Sequence, residues 1–308
     1  MSDVQLGISR PAAWIEVTGD DSFPFLQGQF SNDLRSPSPN PATYGLWLDR
    51  KGRVLADSFI LQEADDRFYL YSPFSSAAAI IERLEPYIIA DDVSLRDVTS
   101  TATVASLWGQ RLDDVLLALG LNRPDRGAFL RDGHRFLFHG RRTRGVNLEL
   151  LLGGEASEEA VTALTAAVED CGGAILEASE LEDERIRSAI PAVPRDVGPR
   201  DLPQEGGLEK DAIAYEKGCY LGQEVMARIR SMGRVRRVLA QLELPSVPEE
   251  LPAPLYQSGR EAGSLRSAAP GDPAIGLGLV RREACEVEGE LALTPDGESA
   301  ARIINVFE

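Results

Sequence analysis

TVASLWGQRLDDVLLAL, residues 103–119, reads as a strand (Thr103 to Trp108) followed after Gly109 by a helix (Gln110 to Leu119). Downstream, Arg135 to Phe138 and Asn147 to Leu152 read as two strands, Glu155 to Asp170 as a helix and Ala174 to Glu177 as a closing strand. The order β-α-β-β-α-β is the split βαβ arrangement of a ferredoxin-like unit. A related order precedes it. Ala12 to Thr18 reads as a strand, Asp20, Asp21 and Ser22 as capping material for a helix from Phe23 to Phe30, and the proline-rich SPSPNP (36–41) as a break. Thr43 to Leu48, Arg53 to Gln62 and Arg67 to Tyr71 then read as an antiparallel meander, Ser75 and Ser76 as caps of a helix to about Pro86, and Val93 to Val98 as a strand. The expectation is an α+β fold with two such subunits in the first 180 or so residues.

Further along, Ser179 to Ala189 reads as a helix capped by Ser179 and stopped at Pro191. Pro191 to Gly207 holds four prolines and few apolar residues, and loops of that length in compact domains are usually functional. After Gly233 the texture changes to short alternating runs: Val235 to Leu242, Glu261 to Arg266, Ala274 to Arg281, Glu290 to Leu293 and Ala301 to Val306. They predict a small all-β barrel or sandwich. Three domains follow: an α+β domain over 1–100, a second over 101–235, and an all-β domain over 236–308.

With 43% hydrophobic and 26% charged residues over 308 positions, the composition is that of a globular, multi-domain chain. No window approaches the roughly 20 apolar residues of a membrane helix, and the opening MSDVQLGISRP lacks a basic and an apolar leader region, so a cytoplasmic, non-membrane protein is expected. Cys171, Cys219 and Cys285 are scattered and odd in number, which points to a reducing compartment and offers no metal-ligand spacing. The net charge of -17 argues against direct nucleic-acid binding. Within that acidic chain Arg228, Arg230, Arg234, Arg236 and Arg237 form a cationic run, readable as a solvated strand and turn or as an anion cradle. His134 and His139 lie away from any triad or metal pattern and read as structural, and no phosphate-binding glycine loop is present.

The segment richest in chemistry is YEKGCYLGQE, Tyr215 to Glu224. A thiol, Cys219, stands between Lys217 and Tyr220, flanked by Gly218 and Gly222, directly before a run that can be helical. A nearby lysine and a helix start favour the thiolate; an isolated cysteine equally reads as a small buried hydrophobe.

Lys217 to Glu224 resembles the K-G-C-[FY]-x-G-Q-E signature of the YgfZ family, without a gap. Phe25-Leu26-Gln27-Gly28-Gln29 with Ser31-Asn32-Asp33 is similar to that family's N-terminal element, Arg185 to Pro191 to its R-[IL]-x-x-G-I-P turn, Leu202 to Glu205 to the loop before the cysteine, and Gly263 to Leu265 and Ile275 to Arg282 to its last strands. The resemblance implies a ring of two α+β subunits, interleaved in sequence, plus a C-terminal β-barrel, with a central channel for tetrahydrofolate or a one-carbon derivative. It implies work with iron-sulfur client or assembly proteins and, through them, tRNA modification, with no permanent metal. Cys219, in a redox or transfer role, and Lys217 are then the catalytic candidates. Folate is a flat pterin with an anionic tail, so Glu205, Gln223 and Glu224 are candidates for the pterin edge, Tyr220 for stacking, and Arg187 and Arg228 for the tail. Gln29 joins the folate-binding set through the N-terminal element.

The alternative is a folate-dependent aminomethyltransferase. Aminomethyltransferases carry roughly G-[GI]-x-D-D in the meander, whereas Gly52 to Asp57 here ends in Ala56-Asp57. One carboxylate of the pair is missing, Trp14 is displaced from the family's position, and 181–190 has no tryptophan. A transferase needs a well-placed carboxylate to move its proton, which weakens that alternative.

Overall fold

The computed structural model describes residues 3–154, 157–286, 291–295, 297 and 301–307. Its first sheet has six strands in the order Ala174–Leu176, Val4–Ser9, Ala102–Gly109, Asn147–Gly153, Arg135–His139 and Phe129–Asp132. The strand-helix-strand-strand-helix-strand order expected from 103 onward is present, with the second helix over Ser157–Asp170; Glu155 lies outside the described residues. Two strands are additional to that order: Phe129–Asp132, which precedes and pairs with Arg135–His139, and Val4–Ser9. Val4–Ser9 slots between the closing strand, to which it is parallel, and Ala102–Gly109, to which it is antiparallel. Gly7 in this strand lets the helix Ala178–Arg187 lie against it, because a Cβ there would come 2.8 Å from Leu181 Cδ1.

The second sheet is antiparallel throughout, in the order Ala42–Leu48, Val54–Ala64, Arg67–Ser72, Ala13–Thr18, Ser94–Asp97. Period-two alternation distributes each strand between two cores. Val104, Phe136, Phe138 and Leu151 of the first sheet share one cluster with Tyr44, Leu46, Phe59 and Tyr71 of the second, so the two sheets face each other. Their outer faces are covered by helices. Leu112, Val115 and Leu164 pack on Leu107 and Leu148, while Leu26 and Ile80 pack on Ile15 and Leu70. The result is helix, sheet, sheet, helix in four layers.

Two caps differ from expectation. Asp21 precedes the helix Ser22–Gln29 but makes no side-chain cap; its Oδ2 instead accepts from the Asp92 amide at 2.8 Å, tying the turn to a neighbouring loop. Ala178–Arg187 starts one residue before Ser179, with the Glu180 carboxylate accepting from the Glu177 amide at 2.8 Å. Ser76 does cap its helix, accepting from Ala79.

The C-terminal residues form a third sheet, in the order Ala253–Gln257, Arg260–Ala269, Ala274–Arg281, Arg237–Leu244, Arg302–Phe307. The expected barrel is corrected here: among the described residues the sheet is open, with Ala253–Gln257 and Arg302–Phe307 as its edges and only single bridges, Tyr256 to Ala292 and Leu291 to Ala301, between them. Alternating side chains look alike in open and closed sheets, since closure depends on stagger between strands. The run predicted from Glu290 to Leu293 falls partly outside the described residues.

The proline-rich loop is built into the centre. Val193 and Val197 lie in the cluster between the two α+β sheets, the Val193 carbonyl accepts from Ser75 Oγ at 2.9 Å, and the Asp201 carbonyl accepts from the Val54 amide at 3.1 Å. Arg185, fully buried, donates to Asp196 Oδ2 at 2.7 Å, and Ser267 of the third sheet donates to the same aspartate. This knot fastens helix, loop and C-terminal sheet together.

Candidate functional site

The signature segment is a loop, 213–222, leading into the helix Gln223–Met232. Gly222 makes the turn with φ +90°, and a Cβ on it would lie 2.9 Å from the Asp49 carbonyl oxygen in the hairpin turn between the first two strands of the meander. Only glycine meets both demands. Gly218, by contrast, faces open space.

Lys217 points inward. Its ammonium donates to the carbonyls of Gln27 at 2.7 Å, Phe30 at 2.7 Å and Asn32 at 2.8 Å, and lies over the Tyr220 ring at 5.2 Å. Those carbonyls belong to the end of the helix Ser22–Gln29 and the residues after it, where intrahelical partners run out. Burial pulls the amine down to about 8. Ser31 and Asn32 complete the joint: Ser31 Oγ donates to Ala212 O at 2.6 Å and Asn32 Nδ2 to Asp211 O at 3.0 Å. The N-terminal element and the signature loop are thus one structural unit. Gln29, at its edge, accepts from Arg83 at 3.0 Å.

Tyr220 lies in the central core, its hydroxyl buried without a hydrogen-bond partner and held up to about 12 by that burial. Between these two inward residues Cys219 faces solvent, whereas Cys171 is buried and Cys285 half-buried. Gln223 donates weakly to the Lys217 carbonyl at 3.4 Å, and Glu224 is exposed on the first turn of the helix.

Glu205 sits in the short turn Pro203–Gly206, buried, and takes the Arg237 guanidinium bidentately: Nε to Oε1 at 2.9 Å and Nη2 to Oε2 at 2.8 Å. Asp201 Oδ1 is 2.9 Å from the same guanidinium. Glu205 and Arg228 line one cavity of about 300 Å³, whose apolar wall is Leu202, Ile229 and Val235. A larger cavity of about 850 Å³ shares Glu205, Val235 and Arg236 with it and adds Arg237, Arg281, Arg282 and Glu283. Arg187 lines neither; it reaches the Pro270 carbonyl elsewhere. The sequence places Arg281 and Arg282 only in a C-terminal strand and not among the site residues, although V-R-R occurs both at 235–237 and at 280–282. The pairing that gives the repeat meaning, Arg237 opposite Arg281, exists only across the sheet.

Asp57, the surviving acid of the meander, is buried beneath hydroxyls from Tyr44 at 3.0 Å, Ser72 at 2.9 Å and Ser75 at 2.7 Å. Burial raises its pKa against the opposing pull of those donors. His139 contacts the Pro124 carbonyl at 3.0 Å, and burial lowers its pKa. Among the described residues no group of three or more His, Cys, Asp or Glu side chains is placed to hold a metal ion, and no helix is long and apolar enough to cross a membrane.

Comparison with known proteins agrees with this architecture. The GCVT N-terminal domain family matches residues 10–126. The chain is 27% identical to the tRNA-modifying protein YgfZ of Edwardsiella ictaluri, over 82% of this chain and 77% of that protein. It is 28% identical to the human mitochondrial iron-sulfur cluster assembly factor IBA57, over 90% of this chain and 77% of that protein. A chloroplast relative from Arabidopsis thaliana is 26% identical over 92% of this chain, which spans 66% of its length. Among solved structures, the aminomethyltransferase T of the glycine cleavage system from Bartonella henselae superposes with a TM-score of 0.82 at 18% identity, covering 97% of this chain and 84% of that one. The chain is thus similar to the YgfZ and IBA57 proteins over most of its length, matches the GCVT N-terminal domain over 10–126 and shares the fold of aminomethyltransferase T.

Proposed function

We propose that the protein binds tetrahydrofolate or a one-carbon derivative and supports iron-sulfur protein assembly or repair, and through it tRNA modification, as a cytoplasmic accessory factor. The observation that carries the folate half is the shared cavity of Glu205 and Arg228 beside the signature helix. Its wall suits the ligand: Leu202, Ile229 and Val235 for a flat ring, Arg228 for a carboxylate. A carboxylate offers about four acceptor positions, and Glu205 uses three, on Arg237 and the Leu202 amide, leaving one for a ring N–H. Gln223 and Glu224, on the first turn of the helix that carries Arg228, lie outside the cavity's lining and remain candidates for the pterin edge, and a ring of the three sheets around a central channel belongs to the same reading.

The second half rests on Cys219, held outward by its inward neighbours, and on the relatives' names. Its role is transfer by ligand exchange. The Cys219 thiol gives its proton to solvent and bonds to an iron of the donor's cluster, while a donor thiolate leaves that iron and takes up a proton; a client thiol then loses its proton and displaces Cys219, which is reprotonated. No electrons change hands. Cys219→Ala should abolish rescue of a strain lacking its own homologue while tetrahydrofolate still binds; unaltered rescue would sink the role of Cys219. Calorimetry with tetrahydrofolate on wild type and Arg228→Ala tests the other half, and no binding at millimolar ligand would break it. An aminomethyl-transfer reading has less support, because Asp57 is buried and lines neither of the cavities that contain Glu205.

A further inference from the structure

Arg237 and Arg281 stand directly opposite each other on neighbouring strands. Like charges in that position oppose pairing. Glu205 and Asp201 compensate Arg237, but Arg281 has no carboxylate partner among the described residues, and neither have Arg228 and Arg236. In a chain of net charge -17, where carboxylates outnumber cations, three unpaired guanidinium groups around adjoining cavities are an accumulation that a bound anion would explain.

The cavities form a series. The 300 Å³ cavity with Arg228 shares Glu205, Val235 and Arg236 with the 850 Å³ cavity. That one shares Arg237 and Arg281 with a third, of about 400 Å³, whose added charged residues are Arg200, Arg266 and Glu261, so the arginines outnumber the carboxylates along the series. The Arg266 Nε is buried without a hydrogen-bond partner. Resting on the folate reading above, we infer that this arginine track receives an oligo-γ-glutamyl extension of the folate tail. Arg228 meets the first carboxylate, and Arg236 and Arg281 those that follow. An extended chain bearing one free carboxylate per residue fits a row of separate guanidinium groups, and continuity with the cavity of Glu205 favours a tail over an unattached anion.

The test compares the affinity of the full chain for tetrahydrofolate carrying one glutamate with that for tetrahydrofolate carrying several, in wild type and in Arg281→Ala, a residue outside the 300 Å³ cavity. Arg281 is exposed, so the variant should fold. The longer tail should tighten binding about tenfold, with a steeper salt dependence, and the variant should lose that gain while keeping its affinity for the single-glutamate form. Equal affinity for both forms would overturn the inference and leave the folate reading standing. No binding of either would overturn both. Free oligo-γ-glutamate or tripolyphosphate binding as tightly as the conjugate would overturn it too, marking a general oligoanion site.

Discussion

The Lys217 ammonium lies 2.7 Å from the carbonyl oxygen of Phe30, a residue 187 positions away in sequence. With the Gln27 and Asn32 carbonyls it absorbs three backbone acceptors at once. Lys217→Met should therefore lower stability by about 2–4 kcal/mol, since buried acceptors left without donors carry their full desolvation cost. Thermal unfolding checks this. A loss below about 0.5 kcal/mol, the level of an ordinary surface substitution, would mean that the lysine is not a structural tie.

The same burial has a pH signature. Lys217 titrates near 8 in the folded protein against 10.5 for a free lysine. Between those values the unfolded chain binds more protons, so stability from this group rises with pH. It is complete above the unfolded value and lost as pH falls through 8. Urea midpoints of wild type relative to Lys217→Met, followed from pH 7 upward, should show the difference growing; a flat difference contradicts the assignment.

The two glycines of the signature should behave differently. Gly222→Ala forces a side chain into φ +90° and toward the Asp49 carbonyl at 2.9 Å, a cost of about 1–3 kcal/mol. Gly218→Ala meets nothing within 4 Å and should change stability by no more than about 0.5 kcal/mol. Paired melting curves separate them, and equal losses would refute the geometric account.

That contrast shows what was legible in the sequence. Patterns local in the chain, such as the strand and helix order from 102 to 176, the meander and the Ser76 cap, could be read from periodicity and capping residues. Val4–Ser9 could not, because Gly7 interrupts its β-forming character and its justification is Leu181, far downstream. Nor could closure of the last sheet, which depends on register. In the site, YEKGCYLGQE marked the place, but the direction of each side chain followed from distant partners: Gln27, Phe30 and Asn32 for Lys217, and Arg237 for Glu205. The long loop drew notice by its length, while its role as the seam between three sheets rests on contacts such as Arg185 to Asp196.

Asp196 is buried and accepts from Arg185 at 2.7 Å and from the Ala192 amide at 2.8 Å. Asp196→Ala would leave the fully buried Arg185 with Glu182 as its remaining carboxylate partner and remove one acceptor of its Nη1, a loss of about 1–3 kcal/mol. Because Ser267 joins the same knot, loosening should reach the C-terminal sheet. Faster hydrogen exchange in 260–269 than in 102–109 is the expected result; uniform acceleration would show that the knot does not hold that sheet selectively.

Cys219 is exposed, Cys285 half-buried and Cys171 buried in the core of the first sheet. Thiol reactivity requires access as well as thiolate, so limiting iodoacetamide should modify Cys219 first and leave Cys171 untouched in the folded chain. Peptide mass spectrometry measures the order directly. Since the Cys219 side chain faces solvent, Cys219→Ala should keep the melting temperature while removing the fast-labelling site. If Cys219 instead labels no faster than Cys171, its thiol does not stand open to a partner, and the exchange of a cluster ligand through it loses its physical basis.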